Sequence, residues 1–158
     1  YFIWNNGDYL SRGNNIMNFL DEVRKDREPL AGVLKKHAGI RRTVEELYPD
    51  NAHFIYELLQ NAEDTKATHA QFTLTHDKLI FEHNGRAFTK ADIWAITDIG
   101  EGTKAKDDDK IGRFGVGFKA VFAYSETPHI YSPTFCFKIS ELVLPSSIAA
   151  KHGLNNKT

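Results

Sequence analysis

Within "FIYELLQNAEDTKAT" (residues 54–68), two acids and an amide recur at Glu57, Asn61 and Asp64. At about 100° per helical residue, Asn61 lies roughly 40° to one side of Glu57 and Asp64 roughly 20° to the other, so the three share one narrow face. Ile55, Leu58, Leu59 and Ala62 fall on the opposite side. A solvated stripe on an amphipathic surface helix accounts for that pattern, and so does one wall of a polar pocket. A second group of residues bears on the choice. In "IGRFGVGFKAVF" (111–122), the backbone N–H groups of Gly115, Val116 and Gly117 would open a helix and could cradle a phosphate, because glycine admits an anion closely and the helix dipole favours negative charge. Tight helix packing is the plainer explanation of the same glycines. The G-x-G-x-x-A pattern at Gly115, Gly117 and Ala120 is not a dinucleotide fingerprint in context, since "KDDDK" rather than a buried strand precedes it. Nor is it a Walker A loop, because "GFK" lacks the G-K-[ST] ending.

The elements that must position these residues read as α plus antiparallel β. Apolar spacing predicts helices over 14–26 and, after Pro29, over 30–40, then a helix from a cap at Asp50 or Asn51 to about residue 65. "AQFTLT" (70–75) and "KLIFEH" (78–83) predict a hairpin turning at His76-Asp77. A helix over 89–96, a glycine turn opening a helix over 114–125, and strands over 129–132 and 134–139 follow. Six of the eleven glycines fall between 85 and 117, which predicts a mobile, loop-rich middle. The chain has 158 residues, 41% hydrophobic and 26% charged, enough for one core-forming domain. Its net charge of −1 offers no broad attraction to nucleic acid or to an anionic membrane. A lone Cys136 excludes an internal disulfide and suggests a reducing, cytoplasmic setting, and no apolar run reaches the roughly 20 residues of a membrane span. The opening "YFIWNNGDYL" reads as the start of a fragment.

In order and at compatible spacing, "ELLQNAED", "HNGRAFTKADI" and "IGRFGVGF" resemble the N, G1 and G2 boxes of the GHKL ATPases. Within that superfamily they are similar to the ninety-kilodalton heat-shock chaperones and, more closely, to the sacsin-like group. The resemblance covers about residues 51–132. It implies a Bergerat fold, a two-layer α/β sandwich with a mixed, mostly antiparallel sheet, helices on one face and a flexible ATP lid, here about residues 97–112. Residues 51–158 would form that domain, shortened at its C-terminal strands, and 1–50 a helical extension packing on it. By position, the resemblance gives Glu57 the role of general base, Asn61 that of Mg²⁺ ligand and Asp64 a place near the nucleotide. A carboxylate can deprotonate attacking water, and a neutral amide oxygen suits a hard Mg²⁺ that also binds phosphate oxygens. Gly85 and Phe88 belong to the adenine side, and Gly112, Gly115, Val116, Gly117 and Phe118 to the phosphate side. Thr158 stands where relatives place a threonine near adenine.

The G1 box departs from the family's D-x-G-x-G. A gapless match puts His83 in place of the aspartate that takes the adenine amino group, with Asn84 beside it and Ala87 at the second glycine. Asn84 is the expected adenine contact, because its amide presents both a donor and an acceptor. His69, His76 and His83 recur every seven residues, but a hairpin does not converge them as zinc ligands. Lys104, Arg113 and Asp107–Asp109 read as solvated charges of the lid. The expected activity is therefore ATP·Mg²⁺ binding with hydrolysis at Glu57, as a switch acting on other domains or on client proteins. A non-hydrolysing nucleotide sensor, or a regulatory ATPase module of a DNA-processing or defence system, would use the same boxes.

Overall fold

The computed structural model describes residues 6–39, 42, 53–99 and 117–150, with side chains from residue 15 onward. Helix α1 spans Asn6–Lys36 without a break. The expected interruption at Pro29 does not occur, although an interior proline removes one helical hydrogen bond and costs about 3 kcal/mol. Both halves of the helix face one core: Phe19, Leu20 and Val23 are buried before the proline, and Ala31 and Leu34 after it, while Pro29 itself is exposed. Burying those five side chains outweighs the lost bond, at roughly 1.5–3 kcal/mol for each large apolar group.

Helix α2 covers His53–Asp64. It ends in a Schellman motif: Ala67 N donates to Ala62 O at 3.0 Å and Lys66 N to Glu63 O at 2.8 Å. Lys66 holds the left-handed position, φ 61°, that glycine usually fills. Strands β1 (Ala70–Leu74) and β2 (Leu79–His83) pair antiparallel from Leu74↔Leu79 to Ala70↔His83, one residue shorter at the turn than expected. Helix α3 (Lys90–Ile96) starts at a capping box in which Thr89 Oγ1 accepts from Asp92 N and the Asp92 carboxylate accepts from Thr89 N.

The helix expected to open at 114 is a short 3₁₀ helix over Gly117–Ala123. Strands β3 (His129–Tyr131), β4 (Cys136–Ser140) and β5 (Leu144–Ser147) form a second antiparallel sheet in the order β3-β4-β5. Strand β5 was not anticipated, because "LPSS" reads as loop. Its place at the sheet edge tolerates Pro145, which pairs with Ile139. Helix α1 packs on β5, with Arg24 Nη1 donating to Pro145 O at 3.3 Å. Phe118, Phe122, Ile93, Ile96, Phe137 and Ile139 share one hydrophobic cluster with the buried face of α1. Residues 6–36 and the β3-β4-β5 sheet thus have a common core, in a small α+β fold of helices and antiparallel sheets.

Lys66→Gly relieves the left-handed lysine at the end of α2. Urea unfolding should show a gain of about 0.5–1 kcal/mol, with an unchanged slope.

Candidate functional site

Helix α2 is amphipathic, and its polar face is not left to solvent. Glu57, Asn61 and Asp64 are half-buried, whereas Ile55, Tyr56 and Leu59 are 36%, 66% and 41% exposed. Contact with the protein runs through Phe54, Leu58, Ala62 and Thr65 on one flank and through the polar stripe itself. Asn61 opens into a cavity of about 660 Å³ that also includes Phe88, Phe118, Val121 and Ile130 in its wall. Phe81, His83, Arg86 and Asp92 line it from β2, the segment leading to α3, and α3 itself. Apolar walls with a few polar groups are what a small-molecule site of this size requires.

Glu57 lies outside the cavity wall and presses on the 3₁₀ helix. A Cβ on Gly117 would run into the Glu57 carboxylate and push it out of this position. The other side of the carboxylate is held by His53, whose Nε2 lies 3.0 Å from Glu57 Oε1, one helical turn away. This pair was missed from the sequence, although the i, i+4 spacing of His53 and Glu57 was there to be read. Asp64 does not line the cavity. Gly112, Gly115, Val116 and Thr158, and all of the expected lid beyond Ile99, lie outside the described residues. Of the expected site residues, the fold therefore brings together Glu57, Asn61, Gly117, Phe118 and Phe88.

The two G1 candidates separate. Asn84 Oδ1 accepts from Thr68 N and His69 N, both at 2.9 Å, and its Nδ2 donates to Thr68 Oγ1 at 2.9 Å. Its amide ties the end of β2 to the turn after α2 and stays out of the large cavity. His83 is 8% exposed and lines that cavity. Its Nδ1 accepts from Gly85 N at 3.1 Å, which leaves the proton of the neutral ring on Nε2. Burial holds its pKa below the ordinary imidazole value, so the neutral form prevails. Gly85 must be glycine for a separate reason, since a Cβ there would strike Thr65 Oγ1 and Cβ. Arg86 N donates to Thr65 O at 3.0 Å, and Arg86 Nη2 donates to Asp92 Oδ1 at 2.9 Å. Burial acts to raise the Asp92 pKa, but the hydrogen bonds from Arg86 and Thr89 outweigh it and hold the carboxyl below its usual range. Phe88 is fixed by its N–H, which donates to Ser132 Oγ at 3.0 Å, and by an edge contact with Phe137.

Among the described residues, no group of three His, Cys, Asp or Glu side chains could hold a metal ion, and no helix is long and apolar enough to cross a membrane. Among the residues that line the cavity, Asn61 is the one side-chain amide, and Glu57 lies one turn before it on the same helix.

An α+β chain with this arrangement carries a match to the Sacsin domain over residues 75–140, which takes in β2, α3, the 3₁₀ helix, β3 and β4. It is similar to Protein NO VEIN of Arabidopsis thaliana, 34% identical over 143 residues, and to Sacsin of Homo sapiens, 31% identical over 133 residues. These matches cover 79% and 72% of the chain but only 5% and 3% of the two relatives, so the chain corresponds to a small part of either. No solved structure matches it. The domain match and the two relatives together support a sacsin-like family.

The buried His83 carries a pH signature. With its folded pKa depressed below an unfolded value of about 6.5, the unfolded chain binds the proton first, so His83 lowers stability as pH falls below about 6.5. Urea unfolding at pH 7.5 and 5.5 should show a larger loss for the wild type than for His83→Asn, which keeps an acceptor for Gly85 N.

Proposed function

We propose that this chain binds Mg·ATP in the cavity beside α2, in a Bergerat-type arrangement, and hydrolyses it as a conformational switch within a larger protein. One observation carries the reading. Helix α2 holds Asn61 half-buried at the cavity and Glu57 half-buried against Gly117 while Ile55, Tyr56 and Leu59 stay partly exposed, an arrangement that suits a site facing polar cargo. The aromatic and aliphatic wall supplied by Phe81, Phe88, Phe118 and Ile130 suits the flat face of a base. Phosphates lie toward Gly117, where a side chain would collide with Glu57.

Asn61 fits a Mg²⁺ ion that takes one protein oxygen and fills its remaining positions with phosphate oxygens and water, the usual manner for this cation. When bound, Mg²⁺ neutralises charge on the phosphates. The chain's own groups do the rest. Glu57 receives a proton from the attacking water, and His53 orients the carboxylate through their 3.0 Å contact. His83 rather than Asn84 faces the base, and its Nε2–H donates to a ring nitrogen, because Asn84 is committed to Thr68 and His69. The switch itself, together with any domain or client it acts on, belongs to the longer protein of which relatives of this size are examples.

Isothermal titration with a non-hydrolysable Mg·ATP analogue tests the binding: micromolar affinity is expected for the wild type and at least a tenfold loss for Asn61→Ala. No heat with the wild type would sink the reading. Hydrolysis is tested separately in the full-length protein, where Glu57→Ala should cut turnover by about 10²-fold or more with nucleotide affinity kept. Equal turnover would remove Glu57 from that role.

A further inference from the structure

Lys119 is the largest fully buried side chain described, 1% exposed, and it lies two residues beyond Gly117. No role assigned above uses it. Its ammonium donates to two main-chain carbonyls far apart in sequence: Ile96 O at the last residue of α3, and Leu142 O at 2.7 Å. Leu142 sits in the β4–β5 turn at φ 69°, a left-handed conformation that is a true outlier for a bulky residue. The turn holds this conformation with the Leu142 side chain buried in the core and its carbonyl accepting from the ammonium. The groups facing the ammonium are few. Asp98, just past α3, acts to keep it charged, and Arg27 from α1 acts against it. Arg27 is itself paired with Asp98 at 3.2 Å. Phe122, from the same 3₁₀ helix, lies with its ring centre 5.7 Å from the nitrogen.

We propose that Lys119 is the positioning residue of the candidate site: its ammonium ties the 3₁₀ helix to α3 and to the β4–β5 turn, and so fixes Gly117 and Phe118 against Glu57 and Asn61. The inference rests on the nucleotide reading only for what the positioned turn binds. Three elements meet at one nitrogen, and its two hydrogen bonds add direction to the apolar packing of Phe118 and Phe122, setting the height of Gly117 over the Glu57 carboxylate. An apolar replacement would leave the two carbonyls buried without a donor, which costs more than the lost bonds alone. The arrangement also carries its own pH dependence. Desolvation brings the lysine down to about 7, so the ammonium gives way to a weaker-donating amine as pH rises past neutrality.

The test compares the wild type with Lys119→Met, which keeps the apolar stem, and Lys119→Arg, which keeps charge and donors. Amide hydrogen exchange should rise at least tenfold at residues 117–120 in Lys119→Met while amides of β4 keep their protection. Affinity for the Mg·ATP analogue should fall at least tenfold at a temperature where the variant remains folded. Lys119→Arg should recover part of both losses. Raising pH from 6 to 8 should weaken nucleotide binding in the wild type but not in Lys119→Arg. Uniform loss of protection across 117–120 and β4, or a loosened turn with unchanged affinity, would overturn the positioning role. If the wild type binds no nucleotide, the nucleotide reading falls, and the exchange pattern alone decides whether Lys119 holds the turn. Should Lys119→Met fail to fold, Lys119→Gln and the wild-type pH series carry the same comparison.

Discussion

A carboxylate set against a glycine is the contact on which the candidate site depends. Glu57 lies against the 3₁₀ helix where Gly117 has no Cβ, and a side chain there would displace the carboxylate from this position. Once α2 is seated this way, Asn61 opens into the cavity and Ala62 takes the buried position, 2% exposed. The same seating lets Thr65 accommodate Gly85 and accept Arg86 N, so the end of β2 is docked by the helix that carries the acid and the amide. The two glycines do opposite jobs in one design. Gly117 makes room for a charge, and Gly85 makes room for a hydroxyl-bearing side chain.

The seating of α2 also has an energetic side. A helix that simply maximised stability would bury Ile55 and Leu59 and leave Glu57 and Asp64 in water. A large apolar side chain left fully exposed forgoes about 1.5–3 kcal/mol, and Ile55, Tyr56 and Leu59, at 36%, 66% and 41% exposed, each forgo a part of that. The fold accepts that deficit and recovers stability elsewhere. The recovery lies in the core of α1, α3 and the three-stranded sheet, where Leu20, Val23, Ile93, Ile96, Phe137, Ile139 and Val143 are each at most 1% exposed. Helix α1 supplies much of that core, from both sides of Pro29.

Much of this was legible in the residues. The shared face of Glu57, Asn61 and Asp64 followed from 3.6-residue geometry, the β1–β2 hairpin from two short strand-like runs joined by His76-Asp77, and α3 from the helical pattern of residues 89–96. What could not be read depended on contacts between distant segments. Pro29 stays helical because of burial on both sides of it, which no local rule supplies. Strand β5 exists because α1 covers it, and its own composition argues for a loop. The direction in which α2 faces was also open, since an amphipathic pattern defines two faces without saying which one is inward.

Asn84 and His83 show the same division between type and place. An amide that can donate and accept is the better recognition group in isolation, which is why its chemistry favoured Asn84 at the sequence level. Position overrides that preference. At the end of β2, the residue nearest the turn after α2 meets two unpaired backbone N–H groups, of Thr68 and His69, and an asparagine oxygen satisfies both. Having done so, its remaining hydrogen bond goes to Thr68 Oγ1, and the side chain cannot also reach the cavity. His83, one residue earlier and on the other face of the strand, points into that cavity by the simple alternation of β-structure. The hydrogen bond from Gly85 N then fixes its tautomer, so the departure from an aspartate at this position replaces an acceptor with a donor. A cavity that presents an Nε2–H at this point is matched by an acceptor on whatever it holds.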